Sequence, residues 1–82
     1  MRKPKKYIVV LAYAQGEVDG IPVYYLKYVS AWPTNAREWG ARFEISPSKD
    51  EALKVGRDTA LYIANTIRMR NAAPATVMVE EA

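Results

Sequence analysis

Near its start the chain carries the stretch Tyr7-Ile8-Val9-Val10-Leu11-Ala12-Tyr13-Ala14, in which every residue is aliphatic or aromatic. Its β-branched and aromatic residues favour a strand. Side chains of a strand alternate between two faces, so an unbroken apolar run predicts a strand that is covered on both sides. We therefore expect residues 7–14 to lie in the middle of a β-sheet.

A second strand is predicted over residues 21–32, after a short connection that contains two glycines. A connection this short joins antiparallel neighbours, so the two strands form a hairpin. One face of the second strand carries Tyr24, Leu26, Tyr28 and Trp32. The other face carries Val23, Tyr25, Lys27 and Val29. A single helix covers one of these faces; on the other, either the tyrosines tolerate half-exposure or the surface binds a partner.

A long helix is predicted over about residues 49–71. Ser48 and Glu51 have the spacing of a capping box, in which the serine hydroxyl accepts the backbone N–H of the glutamate and the glutamate carboxylate accepts the backbone N–H of the serine. Pro74 prevents the helix from continuing. The core-facing stripe comprises Leu53, Gly56, Ala60, Ile63, Ala64 and Ile67. Its small residues predict that the helix lies close to the sheet, the alternative being a close helix–helix contact in a dimer.

Two shorter strands complete the predicted fold, at residues 41–45 and 75–80. Residues 36–40 fit either a single helical turn or the start of the third strand, and the pattern does not separate the two. The resulting class is α+β, in ββ(β)αβ order, with a small, mostly antiparallel sheet packed on one long helix. Pairing the last strand with the first gives the strand order 3-2-1-4, and the chain direction predicts that these two strands run parallel.

The chain has 82 residues, enough for one domain, which we place over residues 7–82. The formal net charge is +3, but four of the 12 basic residues lie in the first six positions: Arg2, Lys3, Lys5 and Lys6. The remainder has eight basic and nine acidic residues and is nearly neutral. We expect residues 1–6 to form a basic, disordered tail, and the alternative is an arm that contacts phosphates.

The composition excludes several kinds of active site. With no cysteine and no histidine, the chain has no disulfide, thiol nucleophile, imidazole base or His/Cys zinc site. Glu17 and Asp19 are too few for a calcium loop. We therefore predict a protein that is not an enzyme and uses no cofactor or metal. The sequence shows no targeting segment and no membrane span, which predicts a cytoplasmic location.

A second apolar line is predicted on the far side of the helix. Val55, Tyr62 and Met69 are spaced by seven, so successive residues lie only about 20° apart around the helix axis. Either these are three singly exposed apolar residues, or the line contacts a partner chain or a second copy. We predict the second.

Four segments carry a resemblance to a family: Tyr25-Leu26-Lys27, Trp32-Pro33-Thr34-Asn35, Ala41-Arg42-Phe43, and Ser48 with Glu51-Ala52. The pattern resembles small phage and prophage proteins with a hairpin followed by a capped helix, and covers about residues 24–64. Pro33 and the long helix depart from it. The resemblance implies a mobile-element accessory protein without enzymatic machinery, which binds and blocks host proteins such as CRISPR or other defence complexes.

The first functional hypothesis is therefore a non-enzymatic binding protein, for example a phage-encoded inhibitor of a host defence or transcription complex, in the host cytoplasm. Its predicted partner-binding residues are Val55, Tyr62, Met69, Tyr24, Tyr28 and Trp32. A homodimer is a further expectation. The alternative hypothesis is a small nucleic-acid-binding module that uses Arg2, Lys3, Lys5, Lys6 and Lys27 with exposed tyrosines.

Overall fold

The computed structural model describes residues 4–33, 43–70 and 75–82. These contain β1 (Tyr7–Val18), β2 (Ile21–Ala31), β3 (Glu44–Ser46), a 3-10 turn (Lys49–Glu51), α1 (Arg57–Arg70) and β4 (Thr76–Glu81). The predicted α+β class is confirmed, as one four-stranded antiparallel sheet with one α-helix. The predicted third strand over residues 41–45 corresponds to β3, which begins at Glu44, while residues 34–42 lie outside the described residues.

The strand order is β3-β2-β1-β4, so β1 lies inside the sheet as predicted. The predicted parallel direction of the last strand is wrong, because β4 pairs antiparallel with β1 from Tyr7 to Ala12. The cause is a segment before the helix. Val55 forms an antiparallel bridge with Tyr7, which returns the chain to the end of the sheet where β1 begins. The helix then carries the chain to the other end, and β4 runs back.

The α-helix begins at Arg57, so the predicted start at residue 49 is wrong. Ser48 makes no side-chain capping hydrogen bond. The Ser46 hydroxyl donates to Glu51 Oε2 at 2.6 Å and accepts the Ser48 N–H at 3.2 Å. These contacts close a single 3-10 turn, after which Ala52 is extended (φ −62°, ψ 135°). The Glu51 carboxylate and the Ser48 backbone therefore stabilise a turn through Ser46, and not the start of the helix.

The larger core lies between the sheet and α1. Its buried residues are Val9, Leu11, Val29, Ala60, Ile63, Ala64, Ile67 and Val77. Ala60 and Ala64 have no exposed surface, which confirms the predicted close approach in the middle of the helix. Gly56 does not take part in this close approach, because a Cβ atom added there would meet nothing within 4 Å. Leu53 packs against this core from the segment before the helix.

A smaller core lies on the opposite face of the sheet. It consists of Ile8, Val10 and Ala52, with Tyr28 and Met78 packed against it. Here β1 is covered on its second face by the residues around the 3-10 turn. The prediction that the first strand is buried on both faces is therefore confirmed for its first half, where Ile8 to Leu11 are all buried.

The β1–β2 hairpin is longer than the sequence pattern predicts. Residues 15–20 are not a loop, since β1 continues to Val18 and pairs directly with Ile21. The two-residue turn between them has positive φ at both positions, 53° at Asp19 and 78° at Gly20, as a type I′ turn requires. A bulge at Gly16 (φ 126°) accommodates the extra residue in β1.

Candidate partner-binding surface

The distal half of the β1–β2 hairpin extends beyond the other strands. β4 pairs with β1 only as far as Ala12, and β3 pairs with β2 only from Tyr28 onwards. Residues 13–18 and 21–27 consequently pair only with each other among the described strands. We call these two segments the distal hairpin.

One face of the distal hairpin is not covered by the described helix. Because strand side chains alternate, Tyr24 and Leu26 lie on the face opposite α1, the same face as Tyr28 and Val10. Tyr24 is 56% exposed, and Leu26 is also exposed. We call this uncovered surface the open face.

The tip of the hairpin carries two exposed apolar side chains, which by alternation from Tyr24 lie on the face opposite the open face. Val18 and Ile21 are paired across the turn and are 62% and 67% exposed. They were not among the residues predicted from the sequence as part of a site. The signal was present, because Asp19-Gly20 flanked by two β-branched residues is a strong indication of a tight hairpin.

The other face of the distal hairpin carries an aromatic stack. The rings of Tyr13 and Tyr25 are 5.1 Å apart and inclined by only 9°. The Lys27 ammonium lies 5.9 Å from the centre of each ring, a distance at which a cation is attracted to the ring face. Burial, with a smaller effect of the Tyr25 phenol, raises the pKa of Tyr13. The stack joins the two strands and holds β2 in place behind the open face.

Three of the predicted partner-binding residues lie on β2 or directly after it, but the structure does not bring them together. Tyr24 is exposed on the open face as expected. Tyr28 is half-buried against the smaller core. Trp32 lies on the other face, packed against the larger core and 5.6 Å from the Phe43 ring. A register shift between Val29 and Ala31 reverses the alternation, which no sequence pattern indicated.

The predicted apolar line on the helix is also divided. Val55 precedes the helix, pairs with Tyr7 and packs against the larger core. Tyr62 and Met69 remain on the outer side of α1, 53% and 85% exposed. The prediction of a continuous three-residue line is therefore wrong, since the helix starts two residues after Val55.

The predicted nucleic-acid residues are not clustered. Arg2 and Lys3 lie outside the described residues. The Lys5 ammonium lies 3.8 Å from Glu81, and the Lys6 carbonyl accepts the Ala82 N–H at 2.9 Å. Lys27 pairs with Leu11, six residues along β1 from Lys5, or roughly 20 Å at 3.3 Å per residue. Lys5 and Lys6 therefore lie far from Lys27 and form no continuous patch with it.

Acidic side chains and a small pocket are two further features of the described residues that bear on a possible site. No group of three or more Asp or Glu side chains among them is placed to hold a metal ion. A pocket lined by Ile8, Lys49, Asp50, Lys54 and Ala82 has a volume of about 140 Å³. Pockets for small molecules are usually about 300–1,000 Å³. Among residues 4–33, 43–70 and 75–82, no helix is long and apolar enough to cross a membrane.

Comparison with known proteins provides no relative. No protein-family model, no curated protein and no solved structure matches the chain. The resemblance to small phage proteins therefore stays a prediction from the sequence.

Proposed function

We propose that this chain is a non-enzymatic binding protein that docks a partner protein on the open face of the distal hairpin. The observation that carries the proposal is the exposure of Tyr24 and Leu26 side by side on the open face, which no described element covers. Exposed apolar surface of this kind marks interaction sites, and tyrosine is enriched at protein interfaces.

The charges near this surface favour a protein over a nucleic acid. The distal hairpin together with its two-residue turn has two acidic residues, Glu17 and Asp19, and one basic residue, Lys27. A phosphate backbone requires several cations on the contacting surface, because each neutralised phosphate contributes to affinity. In addition, the one cation is engaged with the Tyr13–Tyr25 stack on the opposite face.

The partner that suits the open face is a protein with an apolar patch of its own, surrounded by polar residues. Tyr24 offers a ring for packing and a hydroxyl for a hydrogen bond, while Leu26 offers only apolar area. The proposal that this partner belongs to a host defence or transcription complex rests on the sequence resemblance alone.

Two tyrosines of nearly equal exposure allow a matched experiment. The chain is immobilised as wild type, Tyr24→Lys and Tyr62→Lys, since Tyr24 and Tyr62 are 56% and 53% exposed on different elements. We expect Tyr24→Lys to lose at least about tenfold in affinity for a protein captured by the wild type, which corresponds to roughly 1.4 kcal/mol. Tyr62→Lys should retain the affinity. Lost affinity in Tyr62→Lys with retained affinity in Tyr24→Lys would instead indicate that the partner binds the helix.

A further inference from the structure

The edge of β2 carries backbone groups that point away from β1. Tyr7 exchanges both its hydrogen bonds with Val55, on the side of β1 where β2 lies. Hydrogen-bonding direction alternates along a strand, so Leu11 and Tyr13 also point toward β2, and their partners Lys27 and Tyr25 point toward β1. The alternate residues of β2, Leu26 and Tyr24, therefore present their backbone N–H and C=O groups away from β1.

Tyr24 and Leu26 have exposed side chains and also backbone groups that lack a neighbouring described strand. The backbone groups of Tyr24 and Leu26 point to the outer edge of β2, and β3 begins its pairing only at Tyr28. The Val29 carbonyl confirms the alternation, because it points inward and accepts the Leu53 N–H at 2.8 Å. In the described part of the chain, the edge of β2 between Ile21 and Lys27 thus has no strand beside it.

Two other edges of the sheet are obstructed, those of β4 and of the distal half of β1. On β4, the Arg68 guanidinium donates to the Val77 carbonyl, and acidic residues occupy positions 80 and 81. On the distal half of β1, the bulge at Gly16 interrupts the regular ladder. Bulges and charged residues are the means by which proteins prevent edge pairing. Proline is another such device, and Pro22 and Lys27 lie at the two ends of this β2 edge; the residues between them, Val23 to Leu26, carry no charge, no proline and no bulge.

We propose that β2 pairs antiparallel with β2 of a second copy of this chain, about a two-fold axis near Tyr24. This goes beyond the proposed function, because it uses the strand edge and leaves the open face uncovered. Tyr24 then lies opposite its own counterpart, and the Leu26 N–H donates to the Pro22 carbonyl of the partner. Closed two-fold pairs of this type are the commonest oligomers.

Charge and strand length both suit this arrangement. Antiparallel pairing brings the acidic tip of one hairpin, with Asp19, beside the Lys27 end of the other. Pro22 has no N–H to donate at its outward position, and Ser46 already pairs with Tyr28. The paired segment is therefore limited at both ends, which favours a closed dimer over an extended aggregate. The two open faces join into one continuous surface.

The proposal is tested by sedimentation equilibrium of the full chain from about 1 μM to about 1 mM, a range that covers weak and moderate self-association. We expect a concentration-dependent rise to twice the 9.3 kDa mass of the chain. Leu26→Pro removes an outward N–H and should raise the dimer dissociation constant by at least about tenfold. Leu26→Val keeps the N–H and should remain dimeric.

A second measurement covers the case in which Leu26→Pro fails to fold. Amide hydrogen exchange of the wild type should slow at Tyr24 and Leu26 as the protein concentration rises. A monomer over the whole range, a Leu26→Pro dimer as tight as wild type, or exchange that does not depend on concentration would each overturn the proposal. None of these outcomes bears on partner binding by the open face, which the Tyr24→Lys and Tyr62→Lys comparison tests separately.

Discussion

Val55 and Tyr7 exchange two backbone hydrogen bonds, with N···O distances of 2.7 Å and 3.0 Å. This pair brings the chain between β3 and α1 into the sheet beside the first residue of β1. It thereby sets where the helix begins, makes β4 antiparallel and removes Val55 from the helix surface. One pair of hydrogen bonds accounts for three differences between the predicted and the observed structure.

The contacts of Ser46 predict that this residue, and not Ser48, is the serine that matters for stability. Ser46 is buried and bonds both Glu51 Oε2 and the Ser48 N–H. Ser46→Ala should lower the free energy of unfolding by about 1–2 kcal/mol, because it leaves a backbone donor and a carboxylate without their partner. Ser48→Ala, the matched control, should change it by less than about 0.5 kcal/mol. Urea denaturation measures both free energies of unfolding. A larger effect of Ser48→Ala than of Ser46→Ala would show that Ser48 acts as a cap, which contradicts the observed contacts of Ser46.

The packing of α1 predicts opposite effects at two small residues. Ala60 is fully buried against the sheet, so Ala60→Leu should destabilise by roughly 1–3 kcal/mol through overpacking. Gly56 has open space around the position of a Cβ atom, and Gly56→Ala should stabilise by up to about 1 kcal/mol by restricting the unfolded chain. Thermal unfolding of the two variants distinguishes them. A destabilised Gly56→Ala together with a tolerated Ala60→Leu would contradict the observed packing.

The stack of Tyr13 on Tyr25 predicts an alkaline loss of stability. Burial, and to a lesser degree the Tyr25 phenol, raises the pKa of Tyr13 above 10.0 in the folded protein. The folded state therefore holds this proton more tightly than the unfolded state. The resulting stabilisation is complete below a pH of about 10 and disappears as the pH rises through the folded-state pKa.

Tyr13→Phe removes this contribution, and its stability should fall less steeply than that of wild type from about pH 10 upward. Denaturation at several pH values measures the difference, with Tyr62→Phe as the control for loss of an exposed phenol outside the stack. Parallel curves for wild type and Tyr13→Phe would show that the phenol titrates in the same way in both states.

Periodicity predicted the parts of the fold that depend on burial. The unbroken apolar run from Tyr7 indicated an interior strand, and the small residues at positions 60 and 64 indicated a close helix. The strand order followed from placing the doubly apolar strand inside the sheet. These features are local consequences of which side chains must leave water.

The features that were predicted wrongly depend on competition between partners. Glu51 has capping-box spacing from Ser48, yet its carboxylate binds the Ser46 hydroxyl. Val55 has helical spacing from Tyr62, yet its backbone pairs with Tyr7. In both cases the sequence shows that an interaction is allowed, whereas the choice among allowed partners depends on the whole sheet.

Only part of the candidate site was predictable. Alternation in β2 placed Tyr24 and Leu26 together on one face, which the register supports. It placed Trp32 with them as well, because an irregularity after Val29 leaves no mark in the pattern. The free edge of β2 depends on how far β3 and β4 extend, a property of three strands together and not of any one segment.

The central claim is that binding occurs on the distal hairpin, and amide hydrogen exchange tests it most directly. Exchange is measured for the full chain alone and with the protein that it captures, at a fixed total concentration. We expect protection concentrated in residues 21–28 and little change in α1. Protection centred on Tyr62 and Met69, with unchanged exchange in β2, would contradict the account.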